Sequence, residues 1–392
     1  MDRDPKLLII ARGWPPMLAG SNILLNNIFT SYKGNFEAAV GHAYKAYSDP
    51  AFTPPCPSYY LNLPENKYIT RFYEHIMRFF PFIVRNFFSK HIRRYKPDIL
   101  FIPFPEINFV IPAYQVAIKH QLPYYIHMHD LWQENYAPGT WKRKAADEWE
   151  EKIIRGAKRV LCMNEVQADH YRKKYNITNL SILPHTITPE SIADGKKSMV
   201  APTMPDKTIL FVGTVSDMMN TDALRQFAKA IQLLPSDIKV LFCSSATKET
   251  MAANNIDVSR MEMKFVSRAE VQKLQSSVHV LFAPLSHKQG AMDEVRTVFS
   301  TKLLEYMVSG RPILVFAPSD SFHAISARKG GWGYVVDEDS PEKLAEAILR
   351  MLGDEQLCRG LVESAFREAE SRKASIFSNQ LHQWVNEDVA KA

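Results

Sequence analysis

The side chains best suited to hold an anionic ligand lie between Arg296 and Val315, in the run Arg296-Thr-Val-Phe-Ser-Thr-Lys-Leu-Leu-Glu-Tyr-Met-Val-Ser-Gly-Arg-Pro-Ile-Leu-Val. Its order predicts a loop, a helix capped by Ser300 or Thr301, a stop at Gly310, and a buried strand after Pro312. A helix start offers free N–H groups and about half a positive charge, and Lys302 adds a full one, so a diphosphate is the matching ligand. Glu305 follows one turn later on the same face, where a carboxylate can accept both hydroxyls of a ribose. A second group is Tyr124-Tyr-Ile-His-Met-His. Strand alternation puts His127 and His129 on one side and Met128 on the other. His129 would stand at the strand's carboxyl end, with Asp130 next to it to hold the imidazole tautomer; core packing is the competing use for a strand histidine.

Positioning these groups calls for strands that end together. Lys6-Leu-Leu-Ile-Ile-Ala is a continuous apolar run of the kind a parallel strand buried on both faces shows, and a Pro- and Gly-rich loop and a helical pattern capped by Ser21 or Asn22 follow it. Further strands are expected from Asp98, Pro123 and Arg159, with helices over Val110 to Ile118 and Glu148 to Ile154. From His185 to Lys207 the sequence turns polar and loses its apolar period, and the strand pattern restarts at Thr208, Ile238, His279 and Pro312. The expected organisation is therefore α/β with two Rossmann-like domains, 1–190 and 205–374, joined by a linker of about 191–204. Helices are expected at Pro341 to Leu352 and Ser375 to Val389, with 375–392 packed back on the first domain. Ligands of such sheets bind beyond the carboxyl ends of the strands, in this case in the crevice between the domains.

A length of 392 residues suits two cores, and 46% hydrophobic with 23% charged residues is the balance of a globular protein. The net charge of +6 fits anionic ligands without implying nucleic acid. Cys56, Cys162, Cys243 and Cys358 form no ligand cluster and read as reduced thiols. The apolar run Leu7 to Ala11 lacks the length and cleavage site of a signal peptide, and no stretch of about 18 apolar residues occurs. A cytoplasmic location is expected, with membrane contact limited to the peripheral inner face.

Taken together, the segments resemble family 4 glycosyltransferases. The likeness is carried by Ala19-Gly20, by His129-Asp130, by Phe211-Val-Gly213-Thr214, by Lys302-Leu-Leu-Glu305-Tyr-Met-Val-Ser-Gly310-Arg-Pro, and by Gly331-Trp-Gly-Tyr-Val-Val-Asp with its following helix. It implies the GT-B fold, a nucleotide-diphosphate sugar as donor, and transfer with retained anomeric configuration to a glycan or lipid-linked glycan in cell-surface polysaccharide or glycolipid synthesis. No metal or other cofactor is required by that mechanism, because the leaving phosphate takes the acceptor's proton. The resemblance assigns His129 and Glu305 to catalysis, and Gly20, Gly213, Thr214, Arg296, Thr297, Ser300, Thr301, Lys302 and Glu305 to donor binding. Arg12, Trp14 and Asp130 are acceptor-side candidates, although a plain strand-to-helix turn also explains the first loop.

Two departures stand out. The family's two glutamates are separated by seven residues, and the position of the first is Thr297, with Asp293 or Glu294 as nearby carboxylates. The basic residue expected after Gly213 is absent, leaving Arg225, Lys288, Arg296 and Lys302 to meet a diphosphate, the last two preferred. An epimerase or hydrolase of the same fold, or a silent nucleotide-sugar-binding scaffold, are the alternatives. Between Lys67 and Lys96, aromatic residues alternate with Arg71, Arg78, Arg85, Lys90, Arg93 and Arg94, and Pro81 divides the segment. A core-packing helix pair with solvated arginines is one reading, and a surface for anionic lipid is the other.

Overall fold

The computed structural model describes residues 3–17, 20–41, 53–61, 72, 75–104, 106–197, 201–288 and 292–391. These form two compact units, Met1–Thr186 with Ala374–Ala392, and Ile187–Lys373.

The first unit is built on a parallel sheet of seven strands: β1 (Lys6–Ala11), β2 (Asn35–Val40), β3 (Ser58–Tyr60), β4 (Ile99–Pro103), β5 (Tyr124–Met128), β6 (Arg159–Cys162) and β7 (Leu180–Ile182), in the order β3-β2-β1-β4-β5-β6-β7. β1 pairs Leu7 with both Phe36 and Ile99, so it is central and buried on both faces. Its alternation splits the core. Leu8 and Ile10 pack with Val84 and Phe88 of α2 (Pro81–Tyr95), Val110 of α3 (Ile107–Lys119) and Ile153 of α4 (Trp141–Gly156). Leu7 and Ile9 pack on the other face with Leu24 and Ile28 of α1 (Gly20–Thr30) and Leu381 and Val385 of the C-terminal helix (Ala374–Ala390). Asp388 ties that helix down, accepting from Tyr125 Oη at 2.6 Å and Arg159 Nε at 2.5 Å. After β6, α5 (Glu165–Tyr175) starts at Asn164, whose side chain accepts from the Gln167 amide.

The second unit has a parallel sheet of β8 (Thr208–Val212), β9 (Lys239–Cys243), β10 (Glu262–Lys264), β11 (Val280–Pro284), β12 (Ile313–Phe316) and β13 (Tyr334–Val336), in the order β10-β9-β8-β11-β12-β13. Preceding it, α6 (Pro189–Lys197) occupies part of the stretch expected to be irregular linker; it is polar, but Ile192 is buried and Gly195 lies against Val308, so packing forms the helix where no apolar period announces it. The remaining helices are α7 (Thr221–Gln232), α8 (Lys248–Ala253), α9 (Arg268–Ser277), α10 (Met292–Thr297), α11 (Thr301–Met307), α12 (Phe322–Gly330), α13 (Pro341–Gly353), α14 (Glu355–Ser371) and, in the first unit, α15 (Ala374–Ala390). α13 opens as its sequence dictates, with Ser340 accepting from the Lys343 amide and Pro341 in the first turn. Gly310, at φ 74°, reverses the chain between α11 and β12.

Candidate active site

In each sheet the strand order reverses once beside the first strand, between β1 and β4 and between β8 and β11. Loops leaving neighbouring strands in opposite directions open a crevice there. In the second unit a cavity of about 260 Å³ occupies this place, walled by Phe211 and Val212 of β8 and Thr214 just beyond it, by Pro284 of β11 and the following Leu285, and by Ser300, Thr301, Lys302 and Tyr306 around α11. α11 clamps the end of β8. Lys302 Nζ donates to the Val212 carbonyl at 2.9 Å, and the Val212 amide donates to Tyr306 Oη at 3.1 Å. Lys302 also lies over the Phe211 ring, and burial pushes its pKa down while the charge of Glu305 opposes the shift. Gly213 lies directly against the ammonium: a Cβ there would stand 2.0 Å from Lys302 Nζ and push it aside. The loop beyond is pinned: Ser216 donates its amide to Asn220 Oδ1, Asn220 Nδ2 donates to the Thr214 carbonyl, and the Ser286 amide donates to the Met219 carbonyl.

His323 belongs to the same wall and went unnoticed in the sequence. It is buried, its Nε2 accepts the Ser300 amide at 3.1 Å, and burial together with the charge of Lys302 pushes its pKa down to about 3. Ser300 does stand at the start of α11, but its side chain makes no capping hydrogen bond; the Leu303 amide donates to the Ser300 carbonyl, and His323 takes up the Ser300 amide itself.

At the end of β5 in the first unit, His127 and His129 do share a side. Their facing nitrogens, Nδ1 and Nε2, are 3.1 Å apart, and His127 Nε2 is 2.9 Å from the carbonyl oxygen of Leu183. Asp130 was expected to hold the His129 ring; His127 does so instead, while burial raises the Asp130 pKa. At the reversal point of this sheet Arg12 forms an ion pair with Glu106.

The comparisons agree with this architecture. Residues 206–354 match the family model for glycosyl transferases group 1, and residues 36–184 match that for a glycosyl transferase 4-like domain. Among solved structures, sucrose-phosphate synthase from Thermosynechococcus elongatus superposes with a TM-score of 0.71 at 14% identity, covering 100% of both chains. Anabaena HepE, solved with UDP and glucose, gives 0.68 at 11% identity over 98% of this chain and 100% of its own. The lipopolysaccharide outer core galactosyltransferase WaaB gives 0.62 at 14% identity over 95% of this chain and 99% of its own. No curated protein matches by sequence. The chain is a GT-B glycosyltransferase.

Several residues singled out in the glycosyltransferase sequence lie away from the cavity wall. Glu305 is exposed, with Oε2 3.5 Å from Gln275 Nε2. Arg296, at the end of α10, is engaged by Asp320 at 2.5 Å and lies near Asp293. Thr297 is buried, and its hydroxyl donates back to the carbonyls of Asp293 and Glu294. Of the two nearby carboxylates, Glu294 is a buried helix residue and Asp293 is exposed. Arg225 donates to the Asn254 carbonyl, and Lys288 pairs with Asp217. Gly20 is the first residue of α1, so Ser21 and Asn22, expected as caps, lie inside the helix; Ala19 lies outside the described residues. Trp14 is a core residue, packed against Phe29, and so is withdrawn from the ligand surface. An Asp-x-Asp spacing of the kind that can hold a divalent ion stands at Asp337-Glu338-Asp339, but Asp337 pairs with Arg328 and Asp339 accepts from Gln226.

In the segment 67–96, residues 67–71, 73 and 74, with Arg71 among them, lie outside the described residues. Pro81 begins α2, Phe88 is in the core, and Phe79, Phe80 and Phe82 are exposed. Arg94 pairs with Glu37, and Arg85 donates to Gln115. Among the described residues no helix is long and apolar enough to cross a membrane.

Proposed function

We propose that this glycosyltransferase moves a sugar from a nucleotide-diphosphate sugar to a glycan or lipid-linked glycan, with retention of anomeric configuration, in the making of a cell-surface polysaccharide or glycolipid. The observation that carries the reading is the cavity at the β8–β11 reversal, with the Lys302 ammonium held in its wall close against Gly213. An enclosed cation of this kind suits a diphosphate, which Thr214, Ser300 and Thr301 can bond from the same wall. Glu305, exposed one turn along α11 and outside the cavity wall, is the carboxylate assigned to the ribose hydroxyls in this reading. His129 orients the sugar from the end of β5. As the bond from the anomeric carbon to the phosphate oxygen breaks, the acceptor oxygen attacks the same face of the sugar and its proton passes to the departing phosphate. Lys302 stabilises the charge gained by that phosphate, and the scheme needs neither metal nor protein base. The solved neighbour holding UDP and glucose supports uridine nucleotides as the first donors to try.

A thermal-shift panel of UDP, GDP, ADP and CMP tests the cavity, because a ligand at 100 times its Kd adds about 2.7 kcal/mol. One nucleotide is expected to raise the transition, and a flat panel removes the proposal. With the donor identified, Glu305→Ala is expected to weaken donor binding, and His129→Ala to lower kcat more than affinity. The anomeric configuration of the product, read by NMR, decides retention.

We also propose peripheral contact of this enzyme with the inner face of the membrane through Phe79, Phe80 and Phe82 and the neighbouring Arg78 and Arg85. Co-sedimentation with vesicles containing phosphatidylglycerol should fall in Phe79→Ser/Phe82→Ser; equal binding by both proteins removes this contact.

A further inference from the structure

The imidazole pair at the end of β5 has a direction built into it. The Leu183 carbonyl oxygen can only accept, so the nitrogen 2.9 Å away, His127 Nε2, must carry a proton. In a neutral ring His127 Nδ1 is then bare. It faces His129 Nε2 at 3.1 Å, and two bare nitrogens at that distance would repel, so His129 Nε2 carries a proton as well. The other nitrogen of His129, Nδ1, is thereby left as a lone pair, buried and without a partner among the described residues.

We propose that His127 is a positioning residue, which ties His129 to the Leu183 carbonyl and holds it as the tautomer whose Nδ1 can accept but not donate. The proposal deepens the reading of His129 as the residue that orients the sugar, and rests on it. An imidazole fixed in this way selects a ligand group that brings its own proton. A sugar hydroxyl does so; a phosphate oxygen or carboxylate does not, and meets a lone pair. The ring plane is fixed by the same two bonds, since His127 is wholly buried between them and packs edge-on against Phe101 and His129. Protonation of His127 would reverse the second bond and put a proton on His129 Nδ1. Burial opposes that, lowering the His127 pKa to about 4 and holding His129 well below its ordinary value, with further opposition from the charges of His127 and His185.

Nitrogen-15 NMR of the histidine side chains in the ligand-free protein at pH 7 reads the tautomers directly. His127 and His129 are both expected as Nε2–H forms, and an Nδ1–H or averaged signal for His129 overturns the proposal whether or not any donor is turned over. His127→Phe removes the acceptor, so the His129 signal should become a mixture. With the donor found by the nucleotide panel, kcat should then fall by about tenfold at nearly constant KM, within the roughly 100-fold that a 1 Å misplacement can cost. His127→Asn, whose Oδ1 can take the position of Nδ1, should restore the tautomer and at least part of kcat, and it guards against His127→Phe failing to fold. Unchanged His129 signals in the Phe variant, or equal kcat losses in both variants with the tautomer intact, would leave His127 a purely structural residue. Lost turnover in His129→Ala with none in His127→Phe would do the same while sparing the glycosyltransferase reading.

Discussion

The carboxyl ends of β5 and β8 are alike in topology and opposite in electrostatics. Each follows an interior strand of a parallel sheet at the carboxyl-end edge, β8 directly at its sheet's reversal and β5 one strand removed from it. β5 ends in two imidazoles that burial keeps neutral, and β8 ends beside an ammonium that burial discourages but does not remove. The Lys302 charge is tolerated because the Val212 carbonyl accepts from it and Glu305 opposes the burial effect. No counter-charge offsets burial at His129, where the charges of His127 and His185 push the same way, and at His127 burial is opposed only by the bond to the Leu183 carbonyl. The fold thus supplies two similar edges, and the side chains decide that one suits an anion and the other a hydroxyl.

The largest expected effect comes from erasing that contrast at the β8 end. Lys302→Ala should weaken nucleotide-diphosphate binding by about 10- to 100-fold, the equivalent of a charge-assisted hydrogen bond of roughly 1.5–3 kcal/mol. Gly213→Ala should act in the same direction by displacing the ammonium. Calorimetric titration with the nucleotide selected by the panel checks both, and wild-type affinity in Lys302→Ala would break the comparison outright.

The imidazole end should show itself in the pH dependence of stability. A free histidine has a pKa of 6.5 and buried His127 one of about 4, so between those values the unfolded chain takes up a proton that the folded ring refuses. Stability should therefore fall as pH drops through 6.5 and level off below 4, with about 2 kcal/mol lost between pH 7 and 5 from this ring alone. Urea unfolding of wild type and His127→Phe at the two pH values measures it; parallel losses would show that His127 is not the cause. Lys302 contributes with the same sign in an alkaline window ending at 10.5, so acid separates the two regions.

How legible each region was follows from how local its signals are. Lys302 and Glu305 share one short helix with a glycine and a proline behind it, and spacing alone set them out. The pattern of apolar runs likewise revealed β1, β4, β5, β6, β8, β9, β11 and β12. His323 lies about twenty residues beyond Lys302 with no periodic link to it, and only the packing of α12 brings its Nε2 to the Ser300 amide. Trp14, between a glycine and two prolines, reads as a loop residue exposed to ligand, yet the loop folds inward and the ring joins Phe29 in the core. β7 and β10 are only three residues each and contain no fully buried residue, too short for alternation to register. In α6 the helix is fixed by tertiary contact through Ile192 and Gly195, which no window of polar sequence reveals.

Arg296 and Thr297 should give the smallest effects, although the sequence pointed to both. Arg296 pairs on the surface with Asp320, so Arg296→Ala should change stability by no more than about 1 kcal/mol and donor affinity by less than about threefold. Thr297 occupies the place of a family glutamate, but its hydroxyl is spent on the carbonyls of Asp293 and Glu294. Thr297→Val keeps the shape and removes only those bonds, at a cost of about 1 kcal/mol or less in urea unfolding, with kcat/KM within about twofold of wild type. A larger fall in kcat/KM at unchanged stability would mean that the hydroxyl leaves the helix to meet the donor. The Thr297 hydroxyl would then join the proposed donor contacts, and the reading of it as a purely structural group would have to be withdrawn.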